Sequence, residues 1–405
     1  MGKIRGINTV LVYRWNSLSE PMAIEAFQKN GYKVVQLQHE ITDYHADAVF
    51  AQKLIQLIHS MTIDLVFSYD YFPIISMICE INQLPYVSWI YDCPVYTLYS
   101  KTVENPCNHI FCFDENYTKK LKTMGAKNPV HFPLACDTEL YDAAVRKAKE
   151  DSSVEYKYAN EVSFVGDLYN GEKNRLRYAD LSSDVKMQVE ELLEQQKNIY
   201  SRNIVAEQLS QEAAQEIVER CHLSMSGFYE YNPADLAVDA VLMERTARDR
   251  EEILTALGAD FNIGLYTTSD IPENIKTSSR ILVKGKVDYW REMPLVFHNS
   301  KINLNITSRT IETGIPQRIL DILSCGGFCM TNEQTEIEDY FTDGKELVIY
   351  RSPEDLKEKT AYYLTHEEQR EKIARAGLDR IKKEFSCEMR IKRMIDSYSQ
   401  NNGNE

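Results

Sequence analysis

The first third of the chain alternates short runs of β-branched and aromatic residues with stretches whose apolar positions recur at helical spacing. Thr9-Val10-Leu11-Val12-Tyr13 reads as a strand, Pro21 to Lys29 as a helix stopped by Asn30-Gly31, and Lys33-Val34-Val35-Gln36-Leu37 as the next strand. Ala48 to Ser60 carries Val49, Leu54, Leu57 and Ile58 at mostly helical intervals. Leu65 to Ser68, Tyr86 to Ile90, Ile110 to Phe113 and His131 to Leu134 then resume strands. Strands separated by helices predict βαβ units and a parallel sheet covered on both faces. A doubly wound domain is therefore expected over residues 1–145.

A polar, charged stretch from Tyr141 to Glu161 precedes a new strand signal, Val162-Ser163-Phe164-Val165-Gly166. The pattern then turns helical. Val185, Val189, Leu192 and Leu193 fall at i, i+4, i+7 and i+8, and Asn232-Pro233 opens a long run stopped by Gly258, which predicts a helical insertion over about 171–258. Alternation returns with Phe261 to Tyr266, Ile281 to Val283, Ile302 to Ile306, Phe328 to Thr331 and Leu347 to Tyr350. The fold class is α/β: two successive Rossmann-like doubly wound domains, the second over 155–386 and carrying the insertion. A helix from Cys387 and a disordered tail, Ser399 to Glu405, complete residues 387–405.

Composition narrows the function. With 405 residues, 43% hydrophobic and 26% charged, the chain is of ordinary globular composition and long enough for two domains. Its 61 acidic residues against 46 Lys and Arg leave a net charge of -15, which argues against nucleic acid or acidic membrane as partners unless the bases cluster. A small anionic ligand is compatible with that charge. No segment approaches the roughly 18 apolar residues of a membrane span. The apolar run Ile7 to Tyr13 after the basic start Met1 to Arg5 is cut by Arg14 without a small-residue cleavage site, so no secretory signal is read and a cytoplasmic location is expected. Nine Cys without a CxxC pair give neither a zinc site nor a disulfide framework. Cys79, Cys221, Cys325 and Cys329 read as small buried hydrophobes.

The segment richest in chemistry runs from Asn303 to Asn332. A strand leads into the polar loop Thr307 to Gly314, Pro316 stands at the favoured first helical position, the apolar stripe Ile315, Ile319, Ile322 and Leu323 follows, and Gly326-Gly327 stops the helix. Helix starts beyond the carboxyl ends of strands present free N–H groups to anions. Gly314, Ile315, Pro316 and Gln317 thus form a candidate diphosphate cradle, flanked by Arg309 and Arg318 as charge-assisted donors. Asp321, one turn below Arg318, is placed to accept from a ribose hydroxyl pair. The alternative is structural: Gly-Pro helix starts recur throughout α/β proteins, and Arg318 with Asp321 at i, i+3 also makes a plain ion pair.

The pattern Gly314-x-Pro316-x-x-x-x-Asp321-x-x-x-Cys325-Gly326 resembles the Gly-x-Pro-x-x-x-x-Glu-x-x-x-x-Gly stretch of group 1 glycosyltransferases with the GT-B fold. Val287-Asp288-Tyr289-Trp290, Met293-Pro294, Ser300 to Asn305, Cys325 to Phe328 and Leu347 to Leu356 are similar to the CgeB-like bacterial branch, as are Glu368-x-Arg370, Ala374-x-Ala376-Gly377 and Phe385-Ser386. The likeness is dense from about 280 to 390, thinner at Ser163 to Tyr169, and extends to Ser68 to Pro73 and Trp89 to Pro94.

That resemblance implies a nucleoside diphosphate sugar, UDP-sugar favoured, held as co-substrate by the second domain. It implies an acceptor facing the first domain, a glycan, surface polymer or protein hydroxyl, and a final helix crossing back to that domain. Asp321 stands where most relatives have Glu; a second family Glu would fall on Thr313, with Glu312 beside it. Gly166 and Asp167, with the later cations Lys173 and Arg175, match the approach to the diphosphate, and the Lys284-Gly285-Lys286 turn matches the place where the base is held.

Leaving-group charge can be met by fixed donors and cations without a metal. Asp137-Thr138-Glu139 is the nearest approach to a metal-binding Asp-x-Asp and reads as a cap or turn, so neither metal nor cofactor is expected. Asp92 and Asp70 each sit just past a strand among Tyr69, Tyr71, Tyr91 and Trp89, and either could take the acceptor proton; an Asp in that position also commonly caps a turn. His131, inside a strand, reads as a packed core residue. Two other functions fit the same architecture: a nucleotide-sugar epimerase, and a catalytically silent module that binds nucleotide or glycan.

Overall fold

A computed structural model of the chain describes residues 7–148, 157–225 and 227–402. The basic start at residues 1–5, residues 149–156 of the polar stretch and the last three residues of the tail lie outside the described residues. Spatial proximity divides the chain into two units, 1–136 with 225–230 and 384–405, and 137–224 with 231–383.

The first unit is built on six parallel strands: β1 (Thr9–Arg14), β2 (Lys33–Gln38), β3 (Leu65–Tyr69), β4 (Tyr86–Ile90), β5 (Asn108–Cys112) and β6 (Pro129–His131), in the order β2-β1-β3-β4-β5-β6. β3, β4 and β5 are buried at every residue, as expected of central parallel strands covered on both faces. Leu11, Leu54, Val66, Ile75 and Ile90 belong to one buried cluster, and truncating such a residue to Ala costs about 2–5 kcal/mol.

Local chemistry sets the element boundaries. The Ala48–Ser60 helix starts where the Asp47 carboxylate accepts the Phe50 N–H at 2.8 Å. The first helix begins at Glu20, one residue before the sequence pattern places it. Its buried carboxylate accepts the Trp15 and Ser17 N–H groups at 2.7 and 2.9 Å and so belongs to the turn. β5 and β6 end earlier than their apolar runs suggest. Asp114 caps the following helix through the Tyr117 N–H, and Pro133 has no N–H to extend a ladder. His131 therefore closes β6 half-buried instead of packing in the core. The terminal helix runs from Cys387 to Asn402, so residues 399–402, expected as tail, are helical. Asn30 holds its start by donating to the Glu388 carbonyl at 2.9 Å.

Residues 225–230, which interrupt the second unit in sequence, belong to the first. Tyr229 pairs antiparallel with Ser100, the Lys101 N–H donates to the Phe228 carbonyl at 2.9 Å and the Glu230 N–H to the Tyr99 carbonyl at 2.8 Å. His45 stacks on Phe228 and meets Tyr229 edge-on.

The second unit repeats the plan with β7 (Asn160–Val165), β8 (Ile263–Tyr266), β9 (Ile281–Val283), β10 (Ser300–Asn305), β11 (Cys329–Asn332) and β12 (Val348–Tyr350), all parallel, in the order β12-β11-β10-β7-β8-β9. Between β7 and β8 lie the helices Ser183–Gln196, Ile204–Gln208, Gln211–Arg220 and Pro233–Gly258. The last starts at Asn232, whose side chain caps it, and Pro233. It ends against β9 at Gly258, where a Cβ would stand 2.6 Å from the Ile281 side chain. It buries Ala237, Val241, Ala247, Ile253, Leu254 and Leu257 together with the charged residues Glu244, Arg245, Asp249 and Arg250; Arg245 pairs with Asp249, and Glu244 with Arg177 and Arg248.

Candidate functional site

Open parallel sheets bind ligands beyond the carboxyl ends of strands at the point where strand order reverses. That point lies between β7 and β10 in the second unit and between β1 and β3 in the first.

In the second unit, Gly166 and Asp167 follow β7. Asp167 shapes its own loop, accepting the Tyr169 N–H at 2.6 Å and the Ser269 hydroxyl at 2.7 Å. Into the space between this loop and the end of β10 reaches Arg250. One guanidinium nitrogen donates to the Asp167 carbonyl and the other to the Ile306 carbonyl at 2.7 Å. The rings of Tyr169 and Phe164 lie 4.7 and 5.4 Å from its central carbon. A Cβ at Gly166 would come within 3.3 Å of the Phe164 ring, close enough that the ring would have to shift. Arg250 is only 9% exposed, its Nε has no hydrogen-bond partner, and among the described residues no carboxylate lies within ion-pair distance. Burial weighs most against the cation, the charges of Tyr169 and Asp167 oppose that, and the charge of Arg318 adds to it. A buried cation bonded to carbonyls, with the Asp167 carboxylate beyond ion-pair distance, gains from an anion that reaches it.

The helix after β10 spans Gln317–Ser324, with Pro316 in extended conformation just before it (φ -68°, ψ 148°) instead of inside its first turn. Gly314, Ile315, Pro316 and Gln317 are buried, and within the first turn only Arg318 reaches solvent. Arg318 Nη1 donates to Asp321 Oδ2 at 3.1 Å and the guanidinium lies over the Phe297 ring.

Three assignments from the sequence change. Asp321, expected on a ribose, is 1% exposed, and its Oδ1 already accepts from the Tyr141 and Tyr289 hydroxyls and the Gln317 amide at 3.0, 2.9 and 3.0 Å. Burial raises its pKa and these donors, with Arg318, oppose the rise; the carboxylate organises the site's own side chains. Arg309, expected on the diphosphate, donates to Asp249 at 2.5 Å and to the Ile199 and Lys197 carbonyls at 2.7 and 2.6 Å, and stacks on Tyr200. It locks the insertion to the β10 loop. Arg175 donates to the Cys221 and His222 carbonyls at the end of the Gln211–Arg220 helix. Lys286 is exposed in a turn where Gly285 adopts φ 74° with open space around it, and Lys173 is likewise exposed.

In the first unit, Asp70 follows β3 with φ 55°, a left-handed backbone that Asp tolerates better than most residues. Its buried carboxylate accepts the N–H groups of Tyr91 and Asp92 at 2.8 and 3.0 Å. Burial, then the charge of Asp92, raises its pKa to about 7, and the two N–H donors oppose the shift. Asp70 and the exposed Asp92 line a cavity of about 450 Å³ together with Trp15, Glu40 and Tyr44. Trp15 enters because Glu20 fixes its backbone and its indole N–H donates to the Tyr69 carbonyl at 2.9 Å. The sequence reading had both carboxylates; the structure brings them together at the reversal of strand order.

Arg250 is the residue that the sequence reading missed. Its sequence signal was weak: it is one of several charges in the run Glu244 to Glu252, and Glu244, Arg245 and Asp249 are buried on the same helix. Tyr141 and Tyr289 left no such signal, because their carboxylate partner is 180 and 32 residues away.

Residues 245–396 match a family model described as glycosyl transferase-like. No curated protein matches the chain. Among solved structures, a glycosyltransferase from Rickettsia africae is 11% identical, covering 98% of this chain and all of that one, with a TM-score of 0.57. Anabaena HepE in complex with UDP and glucose is 9% identical over 97% of this chain and all of its own, with a TM-score of 0.56. Sucrose-phosphate synthase from Thermosynechococcus elongatus is 8% identical over 98% and 100%, with a TM-score of 0.55. At such identities the likeness is one of fold, and the fold is GT-B. No described helix is long and apolar enough to cross a membrane.

Proposed function

We propose that the chain is a glycosyltransferase of the CgeB-like branch, moving a sugar from a nucleoside diphosphate donor, UDP-sugar favoured, to a hydroxyl acceptor without a metal. The observation that carries this reading is Arg250, a cation buried at the reversal of strand order that bonds to two carbonyls and, among the described residues, forms no ion pair; the Asp167 charge favours it only from a distance. A diphosphate supplies the missing charge. The family match over residues 245–396, which contains Arg250 and the 317–324 helix, supports the same reading, as does the GT-B fold shared with a HepE structure that holds UDP and glucose.

As the acceptor oxygen attacks the anomeric carbon, the bond from that carbon to the diphosphate oxygen breaks and its electron pair stays with the diphosphate. Arg250 and Arg318 are fixed cations against that growing negative charge, and preorganised charge of this kind is worth about 10²–10³ in rate per donor. Asp70, with its pKa raised to about 7, is matched to accept the acceptor hydroxyl proton near neutral pH. In this reading Arg309 and Asp321 position the machinery and do not touch donor.

Calorimetric titration with UDP, UMP and uridine tests the reading. UDP is expected to bind, UMP more weakly and uridine weakest. Arg250→Gln, folded by circular dichroism, should abolish the difference between UDP and uridine. Absence of UDP binding at millimolar concentration would overturn the proposal.

A further inference from the structure

The cavity of the first unit carries a statement about its ligand. Its polar lining is dominated by three carboxylates, with the hydroxyls of Tyr44 and Tyr96 beside them and, among the described residues, no cation. Tyr13 donates its hydroxyl to the His39 carbonyl at 2.8 Å, Thr97 to the Tyr71 carbonyl at 2.6 Å and the Trp15 indole to the Tyr69 carbonyl. The Tyr71 hydroxyl is engaged with Thr102. These side chains therefore offer ring faces and methyl groups, while Glu40, Asp70 and Asp92 offer carboxylates, and the lining contains no Lys, Arg or His.

We infer that this cavity recognises a glycosyl unit bearing no negative charge, through its hydroxyl donors and its apolar C–H face. The inference rests on the glycosyltransferase reading and names the acceptor class for it. A pyranose presents hydroxyls, which can donate to all three carboxylates, and a C–H face that packs on the half-buried Trp15 indole and the exposed Tyr44 ring. A volume of about 450 Å³ lies in the range of sites that enclose a small ligand. A phosphate or uronate has only acceptors where the cavity also has acceptors. Such oxygens would lose water with only the Tyr44 and Tyr96 hydroxyls to replace it, and their charge would face up to three like charges at short range. Glu40, exposed at the rim and outside the proton-transfer role, is the residue best placed to reject such ligands.

Saturation-transfer NMR on the full chain separates the outcomes, using methyl pyranosides of the common hexoses, their 6-phosphates and their uronates, each at about 10 mM. At least one uncharged pyranoside should receive saturation, its charged counterparts at least about tenfold less. Trp15→Ala should remove the signal and Trp15→Phe restore part of it. Glu40→Lys should raise the response to 6-phosphates relative to that of the uncharged parent sugar by at least about tenfold. A charged counterpart that binds as well as its parent, or no response from any uncharged pyranoside, overturns the inference. UDP titration of the same samples keeps the two proposals apart, since donor binding in the second unit persists if only the acceptor assignment fails.

Discussion

Both units reverse strand order at the carboxyl edge of a six-stranded parallel sheet, yet the two crevices hold opposite chemistry. In the second, a buried arginine bridges the carbonyls that follow β7 and β10. In the first, a buried aspartate takes the N–H groups that follow β4 beside two further carboxylates. The fold decides where a ligand is received; the sign of the side chain decides which ligand. In the proposed function one crevice takes an anion and the other a proton donor, the pairing that sugar transfer would need from leaving group and nucleophile.

The sharpest way to break this contrast is Asp70→Asn. Removing the base should lower kcat by about 10²–10⁴ and abolish the rise of rate with pH through about 7, measured with donor saturating. The sign also holds for stability. The unfolded chain loses this proton near 3.8, the folded chain near 7, so the group's favourable contribution is present at low pH and disappears as pH rises through 7. Denaturation of the Asn variant should lose that part of the pH dependence.

Arg309→Met serves as the control for a buried arginine that does have a carboxylate partner. Asp249 keeps Arg245 at 3.1 Å, so the loss of its second arginine should cost about 1–3 kcal/mol of stability in chemical denaturation, with UDP affinity unchanged in the folded fraction. Arg250→Gln should show the reverse: about 10²–10³ lost from kcat/KM and from UDP affinity, with a smaller loss of stability because burial already weighs against the wild-type charge. Equal effects of the two substitutions on UDP binding would erase the distinction. The smallest change expected is that of Asp92→Asn. Without the neighbouring charge, Asp70 should ionise below 7, moving the acid limb of the pH–rate profile downward while kcat above pH 8 changes by no more than about threefold.

The contrast was unevenly legible in the sequence. β1, β3 and β4 follow from their apolar runs, because strands buried on both faces admit little else, and the edge strand β2 and the Ala48–Ser60 helix follow from their mixed apolar and polar spacing. β5 and β6 were read too far along, since an aspartate cap and a proline end them where apolar character continues. The acidic crevice was legible because Asp70 and Asp92 stand directly after strands. The basic one was half legible: Gly166 and Asp167 fall at the strand end, but the cation there comes from a helix some 80 residues later, and Arg309, in the loop after β10, faces Asp249 instead. Asp321 shows the limit most plainly. A motif places a carboxylate near a ribose, whereas two tyrosines from distant elements claim its oxygen, and no local pattern foretells such partners.

The chain's route between its units, leaving the first after residue 136, returning at 225, departing at 231 and returning again at 384, bears on how the protein can be taken apart. A gene fragment ending at residue 136 would encode a sheet deprived of its partner for Ser100 and of its closing helix, and a protease nick in the insertion would free neither half. Evolution can trade these two lobes between proteins only as a stitched whole.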